Sequence, residues 1–61
     1  GIPDIIACIG GHFYGFEAKA EGGRPTKLQE ATIRKILAAG GTALVVRSVD
    51  EVRAVVNGSL H

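Results

Sequence analysis

One thiol, Cys8, is all the sulfur chemistry this chain carries, since it has no methionine. With a single cysteine no internal disulfide can form, and no Cys/His cluster offers a structural zinc site. Long apolar runs are missing too. None approaches the roughly 18 residues that a membrane span needs, and no stretch reads as a signal peptide. There is no surplus of charge of one sign. Lys and Arg number 7 against 6 Asp and Glu, for a formal net charge of +1. Composition alone therefore does not announce a nucleic-acid binder, and any such case rests on where the basic residues sit. Internal repeats, linkers and low-complexity stretches are also absent. The lone cysteine suits a reducing, intracellular setting.

The 61 residues make one domain at most. A chain this short buries only about 60% of the surface that its unfolded form exposes, so it is marginal alone. Hydrophobic residues make up 46% and charged residues 21%, an ordinary globular balance. That apolar share in so short a chain points to a partner subunit as the missing source of stability. The chain opens on Gly1 rather than Met, which suggests a fragment or a processed product. Ser59-Leu60-His61 reads as a non-native tail.

Asp4 to Ile9 is apolar after the aspartate and reads as a strand buried on both faces. Gly10-Gly11 is a two-residue hairpin signal. His12 to Ala20 reads as the returning strand, with Phe13, Gly15, Glu17 and Lys19 on one face and Tyr14, Phe16, Ala18 and Ala20 on the other. Residues 21–25 form a loop. Thr26 with Gln29 is a capping box, so a helix begins there and runs to Ala39. Leu28, Thr32, Ile33, Ile36 and Leu37 give it an apolar stripe, and Gly40-Gly41 suits a left-handed C-cap. Thr42 to Arg47 is a buried strand. Ser48 with Glu51 opens a second helix, with Val49, Val52, Val55 and Val56 inward and Asn57-Gly58 at its end. The order β-β-α-β-α implies an α/β fold with a mixed sheet.

With the turn at Gly10-Gly11, counting back along both strands places Asp4 opposite Glu17, with Cβ atoms about 5 Å apart. Like charges so placed repel unless a cation sits between them. Two hard oxygen ligands at this spacing suit Mg²⁺ or Mn²⁺. Lys19 lies two residues past Glu17 and projects from the same face. A divalent ion there polarises a phosphodiester and acidifies a bound water. The lysine can stabilise developing negative charge, or position or deprotonate that water. The bland alternative is three surface charges on a half-exposed hairpin.

Gly1-Ile2-Pro3-Asp4-Ile5, Phe16-Glu17-Ala18-Lys19 and Gly22-Gly23-Arg24-Pro25-Thr26-Lys27-Leu28-Gln29 follow one another as consecutive signatures. In this the chain resembles the VRR-NUC branch of the PD-(D/E)xK nucleases. Gly40 to Val46 and Ser48-Val49-Asp50-Glu51-Val52 are similar to that family as well. The resemblance implies a restriction-endonuclease-like core over residues 1–61. It also implies a metal-dependent DNA endonuclease acting on branched DNA such as Holliday junctions, as a homodimer of phage or bacterial origin with a place in DNA repair. Carried over by motif, Asp4, Glu17 and the carbonyl of Ala18 are the metal ligands for Mg²⁺ or Mn²⁺, Lys19 is the catalytic lysine, and Gln29 supports the site. Gln29 thus has two readings, a site residue and half of a capping box. Family members usually carry a further N-terminal helix and strand before the Pro-Asp motif. Neither is visible here, so the domain is expected to be N-terminally truncated. An inactive fragment or DNA-binding module of the same fold is the alternative from another class, and a restriction-like enzyme for linear DNA is a third.

Arg24 and Lys27 flank the start of the first helix, where free N–H groups favour an anion, so they are candidates for a DNA phosphate, with a solvated loop as the alternative. Arg34 and Lys35 read as a solvated face. Arg47 and Arg53 carry no specific signal. His12 reads as an exposed residue by the turn rather than a general base. Cys8 reads as a small buried hydrophobe rather than a nucleophile. Tyr14 and Phe16 read as core, with base stacking as the other option for Tyr14.

Overall fold

The structure, a computed structural model, describes residues 2–59. Of the tail Ser59-Leu60-His61, Leu60 and His61 lie outside the described residues. The elements run β1 (Ile5–Ile9), β2 (His12–Ala18), α1 (Lys27–Ala38), β3 (Thr42–Val46) and α2 (Val49–Ser59). This is the β-β-α-β-α order expected. The sheet is mixed and ordered β1-β2-β3, with β1 antiparallel and β3 parallel to the central β2.

Gly10 and Gly11 both have positive φ, 59° and 80°. A type I′ turn needs that sign at both central positions, and glycine adopts it without steric cost. The turn fixes the register: Ile9 pairs with His12 and, at the far end of the ladder, Ile5 pairs with Phe16. The two faces of β2 are also as the alternation required. Tyr14 and Phe16, each 1% exposed, form the core with Val46, packed by Ala7, Ile9, Leu44 and the α2 valines Val52, Val55 and Val56. Their rings stack with centroids 6.0 Å apart. On the opposite face α1 approaches so closely that Ile36 Cδ1 would lie 3.2 Å from a Cβ on Gly15. The layers are therefore α1, sheet, α2.

Both caps of α1 form. Thr26 Oγ1 accepts from Gln29 N–H at 3.1 Å, and Gln29 Oε1 accepts from Thr26 N–H at 2.9 Å. At the other end Gly40 has φ 94°, Gly41 N–H donates to Ile36 O and Gly40 N–H to Leu37 O. That is a Schellman motif. The second capping box is only half reciprocal. Ser48 Oγ accepts from Glu51 N–H at 3.2 Å, but Glu51 Oε1 accepts from Arg47 N–H, one residue further back than expected.

Several burial expectations fail, those of β1 because it is an edge strand. It is not buried on both faces. Ile5 and Ile6 are exposed, the latter at 52%, and so is Cys8, which is not a buried hydrophobe. The strand covered on both faces is β2, where Tyr14 through Glu17 are all buried. Position in a sheet is set by pairing far along the chain, here by β3 choosing β2, and a short apolar run does not reveal it. The α1 stripe is likewise incomplete, since Leu28 and Leu37 are exposed, and Val49 in α2 is exposed at 67%. The second helix also continues past Asn57-Gly58 to Ser59. His12 is half-buried rather than exposed. It shares a hydrogen bond with Thr42 Oγ1 at 2.8 Å and meets the Tyr14 ring edge-on.

Candidate metal site at the end of the hairpin

The pair that closes a two-residue turn is hydrogen-bonded, and such pairs recur at every second residue of an antiparallel ladder. Ile9, Ala7 and Ile5 take these positions, and position 3 would be next. Pro3 has no N–H to give, and the ladder stops at Ile5. Asp4 thus falls one step beyond the ladder, in a bend, and its expected pairing with Glu17 lies outside the register that forms. Its Oδ2 accepts from Ala18 N–H at 3.0 Å, in place of the backbone partner that a longer ladder would have supplied. The N–H and C=O of a strand residue point to the same side, so Ala18 presents its carbonyl toward the edge where Asp4 sits.

Pro3 is itself held in place. A Cβ on Gly15 would fall 2.9 Å from Pro3 Cγ, so only glycine lets the proline ring lie against β2 here. Pro3, Gly15 and Ile36 thus share the face of the sheet that carries Glu17 by alternation.

Glu17 is the residue that sets the site apart from a surface hairpin. It is 3% exposed, and it is the buried charged residue of the described chain. Its Oε2 meets no hydrogen-bond donor among the described residues. A buried polar atom left without a partner costs about 1–3 kcal/mol, more when charged. Lys19, half-buried, follows on the same face. Its amide donates to Val46 O at 3.0 Å, one residue past the β2–β3 ladder.

Among the described residues no group of three or more His, Cys, Asp or Glu is placed to hold a metal. The donors on offer are two carboxylates, Asp4 and Glu17, and the carbonyl of Ala18. That oxygen-only set fits a hard ion such as Mg²⁺, which keeps several of its own waters and takes only one or two protein carboxylates. The orphaned Oε2 fits it too, since a cation is the partner that a buried carboxylate without a donor lacks.

Gln29, the other expected site residue, has its amide oxygen in the capping box of α1, as one of its two readings required. Arg24 and Lys27 are both exposed. Arg24 lines an open cleft of about 790 Å³ with Pro25, Glu30, Arg47, Ser48 and Glu51. The cleft carries both signs of charge, so it is not a simple basic groove. Arg47 carries no specific signal in the sequence, and the structure gives it a partner. Its Nη1 donates to Ala20 O at 2.6 Å. A contact across 27 positions leaves no local signal in the sequence.

No family model, no curated protein and no solved structure matches this chain. Its site has to be read from its own chemistry.

Proposed function

We propose that this chain is a metal-dependent nuclease domain that hydrolyses DNA phosphodiesters. The observation that carries the reading is Glu17, a buried carboxylate with an oxygen that finds no donor, one residue before the Ala18 amide that Asp4 accepts from and two residues before Lys19. A structural carboxylate of this burial normally has its hydrogen bonds satisfied. One that lacks them is suited to a cation.

Asp4, Glu17 and the Ala18 carbonyl would hold Mg²⁺ or Mn²⁺, which when bound supplies a Lewis acid for a phosphoryl oxygen and acidifies a water. The chain's own contribution is positioning. Pro3 and the Ala18 N–H fix Asp4, and burial fixes Glu17. Lys19 offers a positive charge to the negative charge that develops as water adds to phosphorus, or holds that water in line. Arg24 and Lys27, at the start of α1, would receive a neighbouring phosphate. The VRR-NUC resemblance adds the finer reading of branched DNA cut by a homodimer, whose two-fold axis would match a symmetric junction.

The test is to incubate the intact chain with Mg²⁺ or Mn²⁺ and labelled four-way, flapped and linear DNA. Cleavage is expected, strongest on the four-way substrate, and reduced about a hundredfold or more in Asp4→Ala and Lys19→Ala. No cleavage by the intact chain, or undiminished cleavage by both variants, would sink the reading. Preference for the linear substrate would replace junction cutting with a restriction-like activity. Light scattering of the eluting protein tests the dimer.

A second reading has specific support. Asp4 is occupied in ending the hairpin ladder and Gln29 in capping α1. Both jobs are structural, as they would be in a DNA-binding module without catalysis. A Mn²⁺ titration separates the two, because only the nuclease reading requires binding that disappears with Glu17.

A further inference from the structure

The backbone around Lys19 is tied to the end of β3 at two successive points. Lys19 N–H donates to Val46 O at 3.0 Å, and Ala20 O accepts from Arg47 Nη1 at 2.6 Å. The same Ala20 carbonyl accepts from Gly23 N–H at 2.9 Å, which closes the turn through Glu21 and Gly22. Gly22 has φ 80°, as the third residue of a type II turn requires. A turn with two glycines has little stiffness of its own. It nevertheless lies beside Lys19, since a Cβ added at Gly23 would fall 3.7 Å from Lys19 Cβ. Arg47 in turn is anchored. Its own N–H donates to Glu51 Oε1 at 3.1 Å, and Glu51 N–H donates to Ser48 Oγ in the first turn of α2.

We infer that Arg47 is a positioning residue, which locks the Ala20–Gly23 turn and through it the side chain of Lys19. A guanidinium on a carbonyl is the stronger class of hydrogen bond, and here it joins the β3–α2 connection to the loop that follows the candidate lysine. The tether stands on geometry alone. Its consequence for catalysis rests on the nuclease reading.

The experiment compares amide hydrogen exchange by NMR in the intact chain with Arg47→Ala, Arg47→Lys, Arg47→Met and Arg53→Ala. In Arg47→Ala, exchange at Lys19 and Gly23 is expected to quicken about tenfold while Ala7 in the β1–β2 ladder is unchanged. Arg47→Lys, which keeps a charged donor, restores part of the protection. Arg53→Ala, which removes an exposed pair with Asp50, changes neither. Unaltered exchange at Lys19 and Gly23 in Arg47→Ala overturns the proposal. If that variant loosens every amide alike, Arg47→Met, which keeps the apolar stem without the guanidinium, decides: selective loosening at Lys19 and Gly23 supports the tether, and wild-type protection at both refutes it. On the same samples, Mn²⁺-dependent cleavage of four-way DNA is expected to fall in kcat with KM near its original value. A rise in KM alone overturns positioning in favour of direct phosphate contact. Should the intact chain not cut DNA, the nuclease reading fails, and the exchange data still decide the tether.

Discussion

Replacing Glu17 by the unbranched apolar Met should stabilise the metal-free protein and remove its response to metal. In the native chain Oε2 is buried with no donor among the described residues, an arrangement that costs about 1–3 kcal/mol. Replacing such a group with an apolar one of similar shape is neutral or favourable. Even the lower end, about 1 kcal/mol, is a gain. For a domain of this size that raises Tm by roughly 4–8 °C. Metal acts in the opposite sense. An ion at a hundred times its Kd stabilises the native state by about 2.7 kcal/mol, which is roughly 10–20 °C for the wild-type chain. Thermal melts in EDTA and in Mn²⁺ should therefore cross, with Glu17→Met melting higher without metal and wild type melting higher with it. Two results refute the reasoning. If Glu17→Met melts well below wild type in EDTA, the carboxylate is serving a structural partner. If both proteins gain equally from Mn²⁺, the ion binds elsewhere.

Thr26→Ala removes the acceptor for Gln29 N–H and should cost about 1 kcal/mol, read as a lower midpoint in urea with an unchanged slope. Gly15→Ala places a methyl 2.9 Å from Pro3 Cγ and 3.2 Å from Ile36 Cδ1. Overpacking of this kind costs about 1–3 kcal/mol, partly offset by the better strand propensity of Ala, and it should weaken Mn²⁺ binding in a titration because Pro3 carries Asp4. Cys8, exposed on the edge strand, should react with a thiol reagent in the native chain nearly as fast as in urea, whereas protection would restore its expected place in the core.

What the sequence revealed and what it hid divide along contact range. The Gly10-Gly11 turn, the capping box at Thr26 and the left-handed cap at Gly40 are each decided within a few residues, and all three form. The alternation of β2 is local as well, so the separation of Tyr14 and Phe16 from Gly15 and Glu17 could be read directly. Burial was not local. Ile5, Ile6 and Cys8 look like core and lie on the edge, because β3 pairs with β2 and nothing described covers the far side of β1. Arg47 was silent because its partner is distant in the chain.

The same distinction bears on how the site reads. Counting register from the turn predicts Asp4 and Glu17 as neighbours, but the ladder ends at Ile5, and a pair of carboxylates on an exposed hairpin is in any case an ordinary surface feature. What separates Glu17 from that case is the α1 crossover packed over its face of a central strand, a tertiary fact. Asp4, in contrast, remains exposed and satisfies the Ala18 N–H. The two acids are therefore unequal: Asp4 holds a place in the fold whether or not metal binds, and Glu17 has an oxygen with none. The nuclease reading stands on that inequality, and it is why substitution at Glu17, more than at Asp4, separates a metal site from the end of a hairpin.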